Sequence, residues 1–221
     1  MELTPIAYIR SDFSEKFGIP RQSGLVEELT AAVVFEPEYR DPSAFRGMEG
    51  FSHLWLIWEF SRSRGWSPTV RPPRLGGNKR LGVFATRSPF RPNPLGLSCV
   101  RLVEVRQDRA LGPVLVVAGA DLLDGTPIYD VKPYLPYADC KPDAVGGFAA
   151  QPKGADLTVD CPPALLDRVP EDKRSALLAV LAQDPRPQYQ DDPARVYGMA
   201  FAGLEVKFRV AGERLTVTEI V

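Results

Sequence analysis

Ser52-His53-Leu54-Trp55-Leu56-Ile57-Trp58-Glu59-Phe60 reads as a strongly apolar strand with little alternation, the pattern of a segment buried on both faces. Outward from it, every regular segment for some 135 residues has β character. Upstream lie Thr4–Ile9 and Thr30–Phe35, with Pro42–Met48 as a short helical turn that carries proline at an early position. Downstream, Gly82–Thr86 reads as a strand. Leu97–Arg106 and Pro113–Ala120 pair across a turn at Asp108–Gly112, and Thr126–Val131 follows. Between them run irregular stretches: Ser11–Gly24, Trp66–Asn78 and Arg87–Pro94. No strand alternates with an amphipathic helix, which argues against a doubly wound sheet and for a β-barrel or β-sandwich. The 22 prolines fit a fold of many turns and long ordered loops.

After Tyr137 the composition changes. Ala138–Gly154 is small and polar and reads as a linker. Pro162–Ala182 has leucines and valine at helical spacing and reads as one helix. Gln183–Pro193 is a loop, and three β segments follow near Val196–Phe201, Leu204–Val210 and Leu215–Ile220. The chain therefore divides into residues 1–147 and a smaller α+β lobe at 155–221.

With 44% hydrophobic and 25% charged residues, the 221-residue chain has the material for a packed core. No apolar run approaches a bilayer span and no signal-peptide pattern opens the sequence, so neither membrane insertion nor export is expected. Cys99, Cys140 and Cys161 are widely spaced, as in a reduced cytoplasmic protein. With the single His53 they make a poor metal ligand set, and no metal is expected. The net charge is −1, yet Ser61–Val103 contains no Asp or Glu and carries eight arginines and one lysine. Such a window suits phosphate recognition. It is also compatible with neutralisation by Glu49, Glu59 or Asp121 from elsewhere in the chain.

The common nucleotide and hydrolase signatures are absent: no P-loop, no GxGxxG after a strand, no GxSxG, no HExxH. Four loops stand out instead, at residues 20–24, 71–78, 85–98 and 121–130. Each mixes Pro and Gly with Arg, Asn or Asp, a combination that gives rigid walls with cations, amides and approachable backbone.

Val70–Ser98, together with FSHLW at Phe51–Trp55, DLLDGTPIYDVKPYLPYAD at Asp121–Asp139 and IRSDFSEKFGIPRQSG at Ile9–Gly24, resembles the TsaA-like (YaeB, TrmO) family. The resemblance covers about Ile6–Gly147. The AQDPRP run at Ala182–Pro187, with Tyr189, extends it to bacterial members. It implies a mainly β fold, with a single-sheet β-barrel-like N-terminal domain and a smaller α+β lobe that binds tRNA or supports a dimer. It also implies an S-adenosyl-L-methionine-dependent tRNA methyltransferase that works as a homodimer. The acceptor would be the N6 atom of threonylcarbamoyladenosine, next to the anticodon of threonine tRNAs.

By the same resemblance, the cofactor-contacting residues are Gln22, Ser23, Gly24, Ser61, Arg62, Arg87, Leu97, Leu122, Leu123, Asp124 and Gly125. The arginine-rich window becomes the tRNA face, with Arg71, Arg74 and Arg91 on it. Methyl transfer to a urea-like nitrogen requires loss of a proton, so a carboxylate base is expected. Asp121, Asp124 and Asp130 are available, and Asp124 is the choice because Gly125 leaves its backbone approachable. Two other classes suit the same residues: a non-catalytic barrel that binds S-adenosylmethionine or RNA, and a dimeric scaffold that meets an acidic protein.

Overall fold

The computed structural model describes residues 2–75, 79–150, 156–186 and 192–221, with the side chain of Arg74 outside the description. The fold is mainly β. In chain order its strands begin with β1 (Ala7–Arg10), β2 (Thr30–Phe35), β3 (His53–Glu59), β4 (Thr69–Val70), β5 (Leu81–Gly82) and β6 (Leu95–Asp108). They continue with β7 (Gly112–Ala118), β8 (Pro127–Pro133), β9 (Thr158–Asp160), β10 (Tyr197–Phe201), β11 (Leu204–Ala211) and β12 (Arg214–Ile220).

Six strands form one sheet in the order β1-β2-β7-β6-β3-β8. Because β8 pairs back onto β1 at Ala7 and Tyr8, the sheet closes into a barrel and has no free edge. In β3 the buried residues Leu54, Leu56 and Trp58 alternate with half-exposed His53, Trp55, Ile57 and Glu59. The sequence hides this alternation because the outer face is apolar too. Trp55 is covered there by the Tyr134 ring, 5.8 Å away, and its indole N–H donates to Asp139 at 3.0 Å.

Two local expectations change. Only Leu81–Gly82 pairs as strand, with Thr69–Val70, while Val83–Ala85 forms a tight 3-10 turn rather than the end of a Gly82–Thr86 strand. The turn is held by Thr86, whose amide and hydroxyl both donate to the Val83 carbonyl, at 3.1 and 2.8 Å. The single helix expected at Pro162–Ala182 is two, α2 (Pro163–Leu166) and α3 (Glu171–Ala182), because Pro170 has an extended backbone and no N–H to continue the ladder. A one-turn helix, α1 (Pro136–Asp139), precedes them.

The second lobe is a four-stranded sheet, β10-β11-β12-β9, with α3 packed on it. Strand β9 escaped the sequence reading; it is three residues long and runs parallel to β12. Among the described residues there are two apolar cores. One fills the barrel with Ile9, Val33, Leu54, Leu56, Leu115, Val117 and Ile128. The other lies under α3 and includes Leu177, Leu181, Phe201, Phe208 and Leu215. Phe13, Val26 and Leu29 belong to this second core although they lie between β1 and β2. The long segment between β1 and β2 is therefore a strap that crosses from the barrel to the far lobe and back.

Candidate active site

At one end of the barrel, four pieces of chain converge on a cavity of about 490 Å³. They are the strap (Lys16–Gln22), the end of β3 with Ser61–Ser63, the segment from Thr86 to Leu97, and the stretch after β7 that bears Asp121 and Leu123. The volume is in the range of small-molecule sites, about 300 to 1,000 Å³.

One wall is apolar. Trp58 and Phe60 meet with ring centroids 4.3 Å apart and planes inclined by 60°, and Leu95 and Leu97 continue the apolar surface. Gly96 sits under the Trp58 ring; a Cβ there would fall 2.3 Å from the ring's Cε2, so the indole lies flat on the backbone. The opposite end is polar. The Trp58 indole N–H donates to Ser98 Oγ at 2.9 Å, and the Ser98 hydroxyl donates to Asp121 Oδ1 at 2.6 Å. Ser98 has no solvent exposure. Its one proton is thereby committed to Asp121, and the chain runs in a single direction.

Burial pushes the Asp121 carboxyl above the ordinary carboxylate range. The Ser98 hydroxyl, the Asp121 and Ser23 amides and the Arg87 charge oppose that shift without cancelling it. Arg87 is held across the pocket by a hydrogen bond from its Nη1 to Gln22 Oε1, and Gln22 Nε2 donates to the Arg21 carbonyl. Glu59, also on the lining, accepts from the Tyr129 hydroxyl. Burial, and then this acceptor and its charge, push the Tyr129 phenol up to about 12.

Tyr129 therefore remains a donor through the neutral range. Tyr129→Phe should cost about 1 kcal/mol, the net worth of such a bond. The folded-state value is raised, so the contribution is complete below the ordinary tyrosine value of 10 and disappears as pH rises through about 12. Urea melts of parent and variant should differ at pH 8 and converge at high pH.

Of the residues singled out from the sequence, Gln22, Ser61, Arg62, Arg87, Leu97 and Leu123 line this cavity. Ser23 reaches it through its amide toward Asp121. Gly24 sits one step back; its N–H donates to the Gly119 carbonyl at 2.8 Å with φ of +77°, a conformation that favours glycine. Leu122 is 1% exposed, belongs to the barrel core and does not line this cavity.

Asp124 is the main departure. Its carboxylate accepts from the Ser11 amide at 3.0 Å, stands 3.8 Å from Arg10, and lines a different hollow with Asp12, Asp172 and Lys173. Gly125, exposed beside it, is likewise absent from the cavity lining. The sequence expectation rested on an approachable backbone. The strap and β1 use that approach: the Asp124 amide donates to the Phe13 carbonyl of the strap and the Gly125 amide to the Ile9 carbonyl of β1.

Among the arginines, Arg91 lies on the lining but donates to the Val83 and Thr86 carbonyls at 3.2 and 2.6 Å, and its guanidinium lies 5.7 Å from the Phe84 ring centroid. It braces its own loop. Arg71 is exposed. The Arg74 side chain, Gly76–Asn78 and the Pro187 and Tyr189 positions lie outside the described residues.

Sequence reasoning passed over Trp58, Phe60 and Ser98. The glycine at 96 inside a strand was the signal for them, since such a glycine marks close approach of another group to the backbone.

The tRNA-methyltransferase O N-terminal domain family matches residues 8–140, and the TrmO C-terminal domain family matches residues 157–221. Among curated proteins, the chain is 43% identical over 217 residues to the tRNA (adenine(37)-N6)-methyltransferase of Escherichia coli K12, covering 93% of this chain and 91% of that protein. It is 50% identical over 162 residues to the protein of that name from Eikenella corrodens, covering 72% and 91%. A crystal structure of TrmO from Pseudomonas aeruginosa superposes with a TM-score of 0.83 at 33% identity, covering 100% of this chain and 98% of that one.

Proposed function

The chain belongs to the tRNA-methyltransferase O family, and we propose that the barrel-end cavity is where it binds S-adenosylmethionine and methylates N6 of an adenosine in tRNA. The observation that carries this reading is the pairing of an aromatic shelf with a buried carboxylate, Asp121, and a facing cation, Arg87, in one cavity.

The residues present fit the cofactor. S-adenosylmethionine has a flat base, a ribose diol, a carboxylate and a cationic end. Trp58, Phe60, Leu95 and Leu97 offer apolar surface to the base. Arg87 offers a fork for the carboxylate, and Gln22 holds that fork in place. When bound, the cofactor supplies an electrophilic methyl group.

The chain's own contribution is alignment, exclusion of water and removal of one proton. Asp121 takes the base role, in place of Asp124. It is the aspartate on the cavity lining, and its raised proton affinity suits proton abstraction better than an ordinary carboxylate does. Ser98 orients it by donating to Oδ1.

The finer assignments extend the same reading. The acceptor is threonylcarbamoyladenosine next to the anticodon of threonine tRNAs, held on the arginine-rich side by groups such as Arg71 and Arg74. The chain folds as two units, 1–147 and 155–221, works as a homodimer and acts in the cytoplasm. Exposed Val103 on β6, at 46%, supports a covered outer sheet face in the dimer. Among the described residues no helix is long and apolar enough to cross a membrane.

Purified protein, labelled S-adenosylmethionine and tRNA from a strain without this activity should give a new N6-methylated threonylcarbamoyladenosine on nucleoside mass spectrometry. tRNA that lacks the threonylcarbamoyl group should remain unlabelled. Cofactor binding without transfer to any tRNA would favour the non-catalytic alternative.

A further inference from the structure

The strap between β1 and β2 has two faces. One supplies Lys16, Ile19, Pro20, Arg21 and Gln22 to the wall of the cavity. The other is embedded in the C-terminal lobe. Phe13 is 1% exposed and meets Phe201 edge-on at 5.6 Å, and Phe17 stacks on Phe208 at 6.4 Å. Gly18, at φ +95°, is pressed against Met199, whose Sδ would lie 2.2 Å from a Cβ at that position. The Asp12 carbonyl accepts the Ala202 amide at 2.8 Å. The Asp12 carboxylate pairs with Lys173 of α3 at 2.8 Å, with side-chain exposures of 12% and 21%. Farther along, Arg21 Nη2 donates to the Arg186 carbonyl at 3.1 Å.

The barrel holds the strap mainly at its two ends. Ser11 is tied to Asp124 and to the Leu122 carbonyl, and Gly24 to Gly119. In between, the barrel adds the Asp124 amide on the Phe13 carbonyl at 2.8 Å and a long contact of 3.4 Å from Lys16 to the Arg62 carbonyl, while the side chains of Asp12, Phe13, Phe17 and Arg21 are anchored on the C-terminal lobe. Gln22, which orients Arg87, stands directly after that anchored stretch.

We propose that the C-terminal lobe is a positioning device for the cofactor site: it fixes the strap, and through Arg21 and Gln22 it fixes Arg87. Lys173 and Asp12 are its positioning residues; neither lines the cofactor cavity. This inference rests on the cavity being the cofactor site. It differs from a lobe that only grips tRNA, because such a lobe would leave affinity for the free cofactor unchanged.

The physical link is a population. A ligand's apparent dissociation constant rises in inverse proportion to the fraction of protein in the competent arrangement. Breaking a mostly buried ion pair by removing one partner leaves the other charge uncompensated and loosens what the pair held. If Lys173→Ala leaves the strap seated about a tenth of the time, the dissociation constant for S-adenosylmethionine rises about tenfold.

The test is calorimetric titration of the full-length protein with S-adenosylmethionine, together with steady-state assays on tRNA. Lys173→Ala is expected to raise the cofactor's dissociation constant and KM by about tenfold while kcat at saturation stays within about twofold. Lys173→Arg, which keeps the charge, should recover most of the loss. Phe17→Ala, which removes the stack on Phe208 without touching the ion pair, should weaken cofactor binding in the same direction. Thermal melts identify variants that fail to fold, and for those the comparison passes to the other of the two positions. Unchanged cofactor affinity in both folded variants, with a raised KM for tRNA alone, would overturn the inference. Absence of cofactor binding by the parent protein would instead overturn the assignment of the cavity.

Discussion

Asp121→Asn is expected to lower kcat by about 10² to 10⁴-fold, the usual span for loss of a general base, while S-adenosylmethionine and tRNA still bind. The amide is close to isosteric, and its oxygen can still accept from Ser98, so the Trp58–Ser98 arrangement survives. The pH dependence gives a second signature. The carboxylate is the active form, and its folded-state value is raised by burial. In the parent, kcat/KM should therefore fall with decreasing pH through a limb that lies above the ordinary aspartate value of 3.8, and the limb should vanish in the variant. Stability should move the other way. A carboxyl whose folded value is raised favours the fold fully only below its unfolded value, and that contribution is lost as pH rises through the folded value. At neutral pH Asp121 thus carries a penalty that Asn removes, and the variant should melt no lower than the parent. Full turnover in the variant would return the base role to another group; low turnover with a lowered Tm would make the residue structural.

The Asp124 expectation illustrates where sequence reading stops. From the DLLDGTPIYD run alone, Asp121 and Asp124 are equivalent: both are acidic, both flank small or apolar residues, and Gly125 favours the second. What separates them is which way the chain turns after β7. Asp121 meets Ser98 of the neighbouring strand, whereas Asp124 meets Ser11, 113 positions away in sequence. That choice is made by a long-range contact and leaves no local trace. The barrel strands were legible because aromatic and branched runs bounded by Pro and Gly express local preference. The 14-residue β6 was read from Leu97 only, since Leu95 and Gly96 sit against a proline-rich loop. Helix α3 was legible from its leucines, but Pro170 limited its start more sharply than periodicity suggested. The strap was read as an irregular loop, correctly for its backbone. Its apolar residues, Phe13, Phe17 and Ile19, gave no sign that their core lay in the far lobe, because the ring partners of Phe13 and Phe17, Phe201 and Phe208, are more than 150 residues away.

Gly96→Ala is expected to damage fold and site together. The added Cβ would lie 2.3 to 2.6 Å from the Cε2, Cζ2 and Cδ2 atoms of Trp58, well inside contact distance, and these belong to a rigid ring rather than to a flexible chain end. The ring has little room to yield. Phe60 packs against it at a tilt, with centroids 4.3 Å apart, and the indole N–H is bound to the fully buried Ser98. Overpacking of this kind typically costs about 1 to 3 kcal/mol, and displacement of the indole would add the loss of its hydrogen bond, about 1 kcal/mol. The same displacement frees Ser98 to rotate, so Asp121 loses its fixed orientation and turnover should fall beyond what the lowered Tm explains. Combining the change with Trp58→Phe separates the two effects. A phenyl ring keeps carbons near the Cδ2 and Cε2 positions but lacks the benzo ring beyond them and, without the N–H tie, can tilt away, so the double variant should regain part of the stability. It has no N–H to hold Ser98, so turnover should remain low. Recovery of both would mean that the Trp58–Ser98–Asp121 chain has no part in catalysis and that Gly96 serves packing alone. Recovery of neither would mean that the collision is not what destabilises the single variant.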